Sequence, residues 1–277
     1  MYKNKAVENN TTNERMMKMN VRRLVVLLLS FLMIFPTVTA AKEKEKFTIP
    51  EHVLSISKEN TYPNEAEDEA IVEPSDFAKT LLESTDVMIE NPDLIQLLNE
   101  TSIRPTPFSI GYRGEVYLGR WPLNYESMET TINWQYHKIN ENELNNVGNT
   151  SAQTIYYEQQ AEREIKGALT SKISNPSDVR RMMLLKAQRK TNLPLAFTTV
   201  IGKGTKKENA YKIPAQKHGV LSVYAPAVNE KGQITFGEVY IQLKGSKKQL
   251  VIRNVTKQGI GAWIPIQDYA SFSFHIK

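Results

Sequence analysis

Alternation at the C-terminus restricts the fold of this chain more than any other feature. Phe272, Phe274 and Ile276 interleave with Ser271, Ser273 and His275, the period-two pattern of a strand with one dry and one wet face. Similar runs recur upstream. They predict an antiparallel meander with strands near residues 195–201, 220–228, 233–243, 250–255 and 260–276. Turn signals at Asn229-Glu230-Lys231-Gly232 and Lys244-Gly245-Ser246 separate them. Earlier, Tyr112, Val116 and Leu118 fall opposite Arg113, Glu115 and Tyr117, which predicts a strand from about residue 108. A second strand around Ile132, Trp134 and Tyr136 is expected to pair with it as a hairpin, followed by a polar loop over 140–149.

Helix signals are interspersed with these strands. Ser75 is placed to cap a helix carrying Phe77, Ala78, Leu81 and Leu82 on one face, with Asp76 near the positive end of its dipole. Asn91 followed by Pro92 opens another, with Leu94, Ile95, Leu97 and Leu98 as its apolar content. Helices are also expected over 152–166 and from Asn175-Pro176 to about residue 190. The fold class that follows is α+β: a C-terminal antiparallel meander with several short packing helices.

Cysteine is absent, so there are no disulfides, thiolate metal sites or cysteine nucleophile, and stability must come from an apolar core. A secreted animal chain of this size more often carries disulfides, which points to a bacterium with a single membrane. Residues 22–41 read as an export signal: a basic start at Lys18, Arg22 and Arg23, a twelve-residue apolar run over 24–35, then small residues ending in Ala40. Cleavage is expected between Ala40 and Ala41. The run covers roughly 18 Å as a helix, against roughly 30 Å of hydrocarbon. The alternative is an uncleaved anchor. The long polar start leaves Met16, Met17 or Met19 open as the translation start. The domain reading is a signal segment with a polar extension over 1–40, an acidic arm over 41–75 and one α+β domain over 76–277.

Charge argues against nucleic acid as a partner. Six basic and two acidic groups lie in residues 1–40, so the +5 of the whole chain falls to +1 beyond them. What remains is polarised: −10 over 41–103, −2 over 104–163 and +13 over 164–277. Such a distribution attracts anionic partners to the C-terminal half, or else lets the acidic segment neutralise it. Teichoic acids and acidic lipid head groups are the polyanions expected in such an envelope.

Candidate chemistry is sparse. The four histidines, His52, His137, His218 and His275, have no metal-ligand spacing, and no metal, cofactor or catalytic residue is assigned. Gly202-Lys203-Gly204-Thr205-Lys206-Lys207 lacks the spacing of a phosphate loop and falls between strands. Its Lys203, Lys206 and Lys207 are nonetheless candidates to touch a polyanion. Lys247 and Lys248 extend that patch if the two turns share an edge. Arg180, Arg181, Lys186, Arg189 and Lys190 scatter around a helix axis and make no membrane-binding stripe. Glu115, Glu126 and Glu129, near Tyr112, Trp121, Tyr125 and Trp134, are the only pattern with a glycosidase flavour.

Taken whole, the chain resembles the YfkD-like proteins of Bacillus-type bacteria. The resemblance rests on SKENTYPN (57–64), IENPDL (89–94), GYRGEVYLGRWPLNYES (111–127), LPLAFTTVIGKGTKK (193–207), APAVNEKGQITFGEVY (225–240) and GIGAWIPIQD (259–268), and spans about residues 48–277. It implies export and brings no activity, cofactor or catalytic residue. The leading expectation is a non-enzymatic envelope protein contacting anionic wall or membrane components. The alternatives are a wall-polysaccharide enzyme with paired carboxylates and an assembly factor for envelope or spore whose acidic arm docks a protein.

Overall fold

In the computed structural model, residues 47–56, 72–102, 111 and 113–277 are described. The leader with its Ala40 and Ala41 junction, and most of the segment 58–76 read as a loop, lie outside them. The compact unit runs from Phe47 to Lys277. Its elements are β1 (Val53–Ser55), α1 (Asp76–Leu82), α2 (Pro92–Glu100), β2 (Arg113–Asn145), β3 (Gln153–Glu158), β4 (Arg163–Lys166), β5 (Ala168–Leu169), α3 (Pro176–Thr191), β6 (Thr198–Ile201), β7 (Lys206–Ile213), β8 (His218–Lys244), β9 (Lys247–Pro265) and β10 (Tyr269–Ile276). An antiparallel sheet with a few short helices dominates, as the sequence predicts.

The spine of the main sheet is β8. Along one edge it pairs with β2 from Arg113↔Lys244 to Asn145↔His218. Along the other it pairs with β10 over Gly219 to Tyr224 and with β9 over Ala227 to Lys244. β1 adds to β10, and β5 to β9. Val53 to Ser55, inside the segment read as an arm, therefore belongs to the sheet. Two small ladders stand beside it, β3 with β7 and β4 with β6.

Three apolar clusters hold these layers. One packs Val179, Met182, Met183 and Ala187 of α3 on Ile234, Phe236 and Ile264. A second joins Ile155, Ile165, Ile201 and Ile213 of the small ladders to Ile139, Leu221 and Phe272. A third puts Leu81, Leu94 and Leu98 on the opposite sheet face, against Leu123, Val239, Ile241 and Leu250. The short helices start as expected: Ser75 Oγ accepts from Ala78 N, and Asn91 Oδ1 from Asp93 N and Leu94 N. α3 opens at Pro176 and ends with Asn192 in the left-handed region.

Several sequence expectations fail. The C-terminal strands are not a meander: β10 pairs with β8 instead of β9, β6 lies in a separate ladder with β4, and the strand expected over 260–276 breaks between Pro265 and Tyr269, its first part continuing β9. Over the described residues 113–136 the expected hairpin is a single strand, because β2 finds its partner in β8 and absorbs Gly119 and Pro122 at register shifts between Tyr117 and Gly119 and between Pro122 and Asn124. Its pairing runs on to Asn145, so the loop over 140–149 shrinks to the residues around Gly148. The helix over 152–166 is two strands: Ile155 and Tyr157 are buried while Thr154, Tyr156 and Glu158 are exposed, which is period two. The turn at Asn229-Glu230-Lys231-Gly232 is mid-strand, each residue paired to β2 on one side and β9 on the other. Gly232 is there for space instead of for turning. A Cβ would lie 2.1 Å from Glu126 O and 2.7 Å from the Tyr125 hydroxyl.

The turn at Lys244-Gly245-Ser246 does join β8 to β9. In β10, Phe272 is buried and His275 exposed as read. Ser271, however, is fully buried between β1 and β8, and Ile276 is exposed where the sheet runs out.

Candidate functional site

The β4–β6 ladder sets the geometry of the most site-like region. It pairs Arg163 with Ile201 and so lays the chain after Gln159 against the turn around Lys203. Two backbone bonds fix the approach: Gly204 N donates to Gln159 O at 2.8 Å, and Gln159 N to Thr205 O at 2.8 Å. Gln159 is itself buried; its amide donates to Ile139 O and Ala161 O, and its Oε1 accepts from Tyr157 OH. Burial pushes the Tyr157 hydroxyl pKa up, so it stays a donor.

Between this loop and the far part of β2 lies a groove of about 310 Å³ lined by Lys138, Ile139, Asn140, Glu141, Gln160, Ala161 and Arg163. Ile139 is its buried apolar residue. Asn140 is held from both ends: Nδ2 donates to Glu158 O and Asn142 Oδ1, and Oδ1 accepts from Gln160 N. Glu141 Oε2 accepts from Ser222 Oγ at 2.7 Å and pairs with Lys138. Lys138 and then Ser222 hold the Glu141 carboxyl below the usual carboxylate range, while Glu141 raises the Lys138 ammonium. Arg163 is exposed and its side chain makes no hydrogen bond or ion pair among the described residues, whereas nearby Lys166 and Lys206 pair with Glu164 and Glu158.

The sequence candidates fall in two places. Lys203 lies in the turn between β6 and β7, and Lys206 and Lys207 open β7 beside β3. Lys247 and Lys248 stand at the other end of β8, next to Lys244. The tips do not share an edge: Lys206 pairs with Glu158, which bonds Asn140 opposite Val223, near the start of β8. The distal tip has its own cations. Arg113, Lys244 and Lys247 lie directly across from one another on three strands, a like-charge row that is unfavourable without an anion. Lys248 sits 5.0 Å above the Phe77 ring.

Other candidates have structural partners. Glu115 receives a two-pronged bond from Arg253 and one from Gln242, which hold its carboxyl low. Glu129 pairs with Lys231 and Glu126 approaches Lys257. Glu115 and Glu126 are eleven residues apart on β2, roughly 35 Å at strand rise, against the 5–10 Å or so between carboxylates that flank a sugar bond. Trp121 Nε1 donates to Leu118 O, and Tyr125 is buried. On α3, Arg181 pairs with Asp93 at 2.7 Å and Lys186 with Glu90 at 3.0 Å, so these cations fasten α3 to the segment around α2. His218 lies 3.6 Å from Glu143, and His275 bonds Ser273. Among the described residues no cluster of three acidic, histidine or cysteine groups is arranged to hold a metal ion, and no helix is long and apolar enough to cross a membrane.

Sequence reading missed Arg163, Lys138 and Glu141 because nothing local marks them. Only the strand pairings bring them to one groove. It also missed Glu230, a fully buried carboxylate that accepts from Tyr125 OH at 2.9 Å and Thr130 Oγ1 at 2.6 Å. Burial first, and then Glu230, raise the Tyr125 hydroxyl pKa, which keeps its proton available to the carboxylate.

Comparison with known proteins places this geometry in a family. The family model described as YfkD-like protein matches residues 50–277. The Bacillus subtilis (strain 168) protein named "Uncharacterized protein YfkD" is 51% identical over 253 residues, covering 91% of this chain and 94% of that one. Among solved structures, the crystal structure of Lamprey immune protein aligns over 58% of this chain and 53% of its own with a TM-score of 0.24 and 8% identity. A likeness of that size carries no argument about fold or function.

Proposed function

The chain belongs to the YfkD-like family, and on that footing we propose that it is an exported, non-enzymatic envelope protein that contacts anionic wall polymers or lipid head groups. One observation supports this reading above the others. Lys203, Lys207 and Arg163 gather on adjoining segments with no carboxylate partner among the described residues. Cations kept unpaired beside a groove, in a structure that pairs many of its other charges, are available to an external anion. The export reading adds the compartment and rests on residues 22–41. The distal row of Arg113, Lys244 and Lys247 supplies a second anion-facing tip, so a long polymer is better suited to both than a small ion.

The test is sedimentation with isolated cell walls. Wild type is expected to co-sediment at low salt and to be released at about 0.5 M salt, where the screening length falls to a few ångströms. Replacing Lys203, Lys207 and Arg163 together by Gln is expected to release the protein at markedly lower salt. Binding that ignores both salt and this triple substitution refutes the reading. Export is tested separately by cell fractionation with N-terminal sequencing: a chain starting at Ala41 in the wall or medium supports it, and an intact leader in the cytosol overturns it.

A further inference from the structure

We propose that the groove between β2 and the β3–β4 connection binds a zwitterionic group, one anion and one ammonium on the same small moiety. The inference rests on the anion-contact reading for its Arg163 end and adds a second, selective end.

Three features of the lining carry it. Arg163 presents a guanidinium with no partner among the described residues, and a guanidinium matches a carboxylate or phosphate with two parallel donors. Glu141 spends only Oε2 on Lys138 and Ser222, and Oε1 has no partner among the described residues. Lys138 and Ser222 keep that carboxylate in place without consuming it. Gln160 offers a side-chain amide, also without a partner among the described residues, and buried Ile139 gives the groove an apolar residue.

An anion with no amine engages only the Arg163 end of the groove, because Lys138 already offsets the charge of Glu141. An ammonium beside the anion gains a second contact at Glu141 Oε1, the oxygen that Lys138 and Ser222 leave without a bond, so the groove favours a moiety that carries both charges over the anion alone. At about 310 Å³ the space is near the lower bound for a small-molecule site and suits a group the size of a dipeptide or an aminoalkyl phosphate. The cradle is well braced: Asn140 and Gln159 are fixed by several bonds each, so little ordering is needed on binding.

Titration calorimetry with the full chain tests this with two zwitterions, alanyl-alanine for a carboxylate source and phosphoethanolamine for a phosphate source. Each has a control without the ammonium: N-acetyl-alanyl-alanine and glycerol phosphate. At least one zwitterion is expected to bind about tenfold tighter than its control, the size of one charge-assisted hydrogen bond. Glu141→Gln should erase that advantage and leave the control unchanged or tighter, while Arg163→Gln should weaken zwitterion and control alike. Unchanged thermal unfolding of both variants certifies the fold. Controls that bind as tightly as the zwitterions overturn the proposal and leave anion contact standing. No binding of any probe at 10 mM overturns the proposal at this groove, while wall sedimentation decides the broader reading by itself. The stronger of the two zwitterions identifies the source chemistry.

Discussion

Replacing Gly232 by alanine is expected to be among the most damaging single-methyl changes in this chain. The added Cβ would meet Glu126 O at 2.1 Å and the Tyr125 ring and hydroxyl at 2.7–2.8 Å, all below any ordinary carbon contact. Neither neighbour has an easy retreat, since Glu126 O belongs to β2 and Tyr125 is buried under α3. Overpacking of this kind costs about 1–3 kcal/mol. Displacing the ring also breaks the 2.9 Å bond from Tyr125 OH to Glu230, leaving a buried carboxylate with only Thr130 as donor. Loss of a partner at a buried polar group adds about 1–3 kcal/mol. The total is about 4 kcal/mol, and with a urea m-value of about 2–3 kcal/mol/M the midpoint should fall by roughly 1.5 M. Equilibrium urea unfolding followed by far-UV circular dichroism measures it. Gly259→Ala is the control, because a Cβ there meets nothing within 4 Å, and it should lie within about 0.5 kcal/mol of wild type. In a Tyr125→Phe background the penalty of Gly232→Ala should shrink, since the hydroxyl contact and its bond are already gone. A Gly232→Ala protein within about 0.5 kcal/mol of wild type would refute the account of this slot.

Other outcomes follow from the same geometry. Asn91→Ala removes a helix cap and two buried donor contacts, to Pro122 O and Asp178 Oδ2, and should cost about 3 kcal/mol by urea unfolding. A loss below 1 kcal/mol would show that the cap is dispensable. Asp178, beside Asn91, Asp93 and Arg181, has its pKa raised above 3.8, mainly by burial. An acid raised on folding contributes stability that is full below its unfolded value and lost as pH rises through its folded value. Asp178→Asn should therefore remove one contribution that declines as pH rises above about 3.8 and make the slope of stability against pH more positive than in wild type, read from unfolding midpoints between pH 3 and 6; an unchanged slope contradicts this. Lys186→Met should leave stability within about 1 kcal/mol, because its pair with Glu90 is about a third exposed on each side and its stem packs either way. A loss above 2 kcal/mol in thermal unfolding would show the pair to be essential for docking α3.

Local rules sufficed wherever an element is specified by its own residues. Ser75, Asn91 and Pro176 mark helix starts because caps act over three or four residues. The β8–β9 turn is equally local; the alternation around Phe272 located a strand but not its faces, because β1 and β8 flank Ser271 on both sides. The absence of cysteine and the polarity of charge are properties of composition, so the need for an apolar core and the basic C-terminal half were legible at once. Tertiary pairing decided the rest. Whether Asn229-Glu230-Lys231-Gly232 turns or extends depends on partners more than ninety residues away on β2 and on the closer ones of β9. The continuity of β2 through Gly119 and Pro122 depends likewise on bulges tolerated by β8. Arg163 and Glu141 become neighbours only through two ladders and a braced loop, and Lys203 and Lys247 are kept apart by the length of β8. A chain's local preferences choose its short elements, but which side chains share a groove is set by non-local hydrogen-bonded register, which no short window of sequence contains.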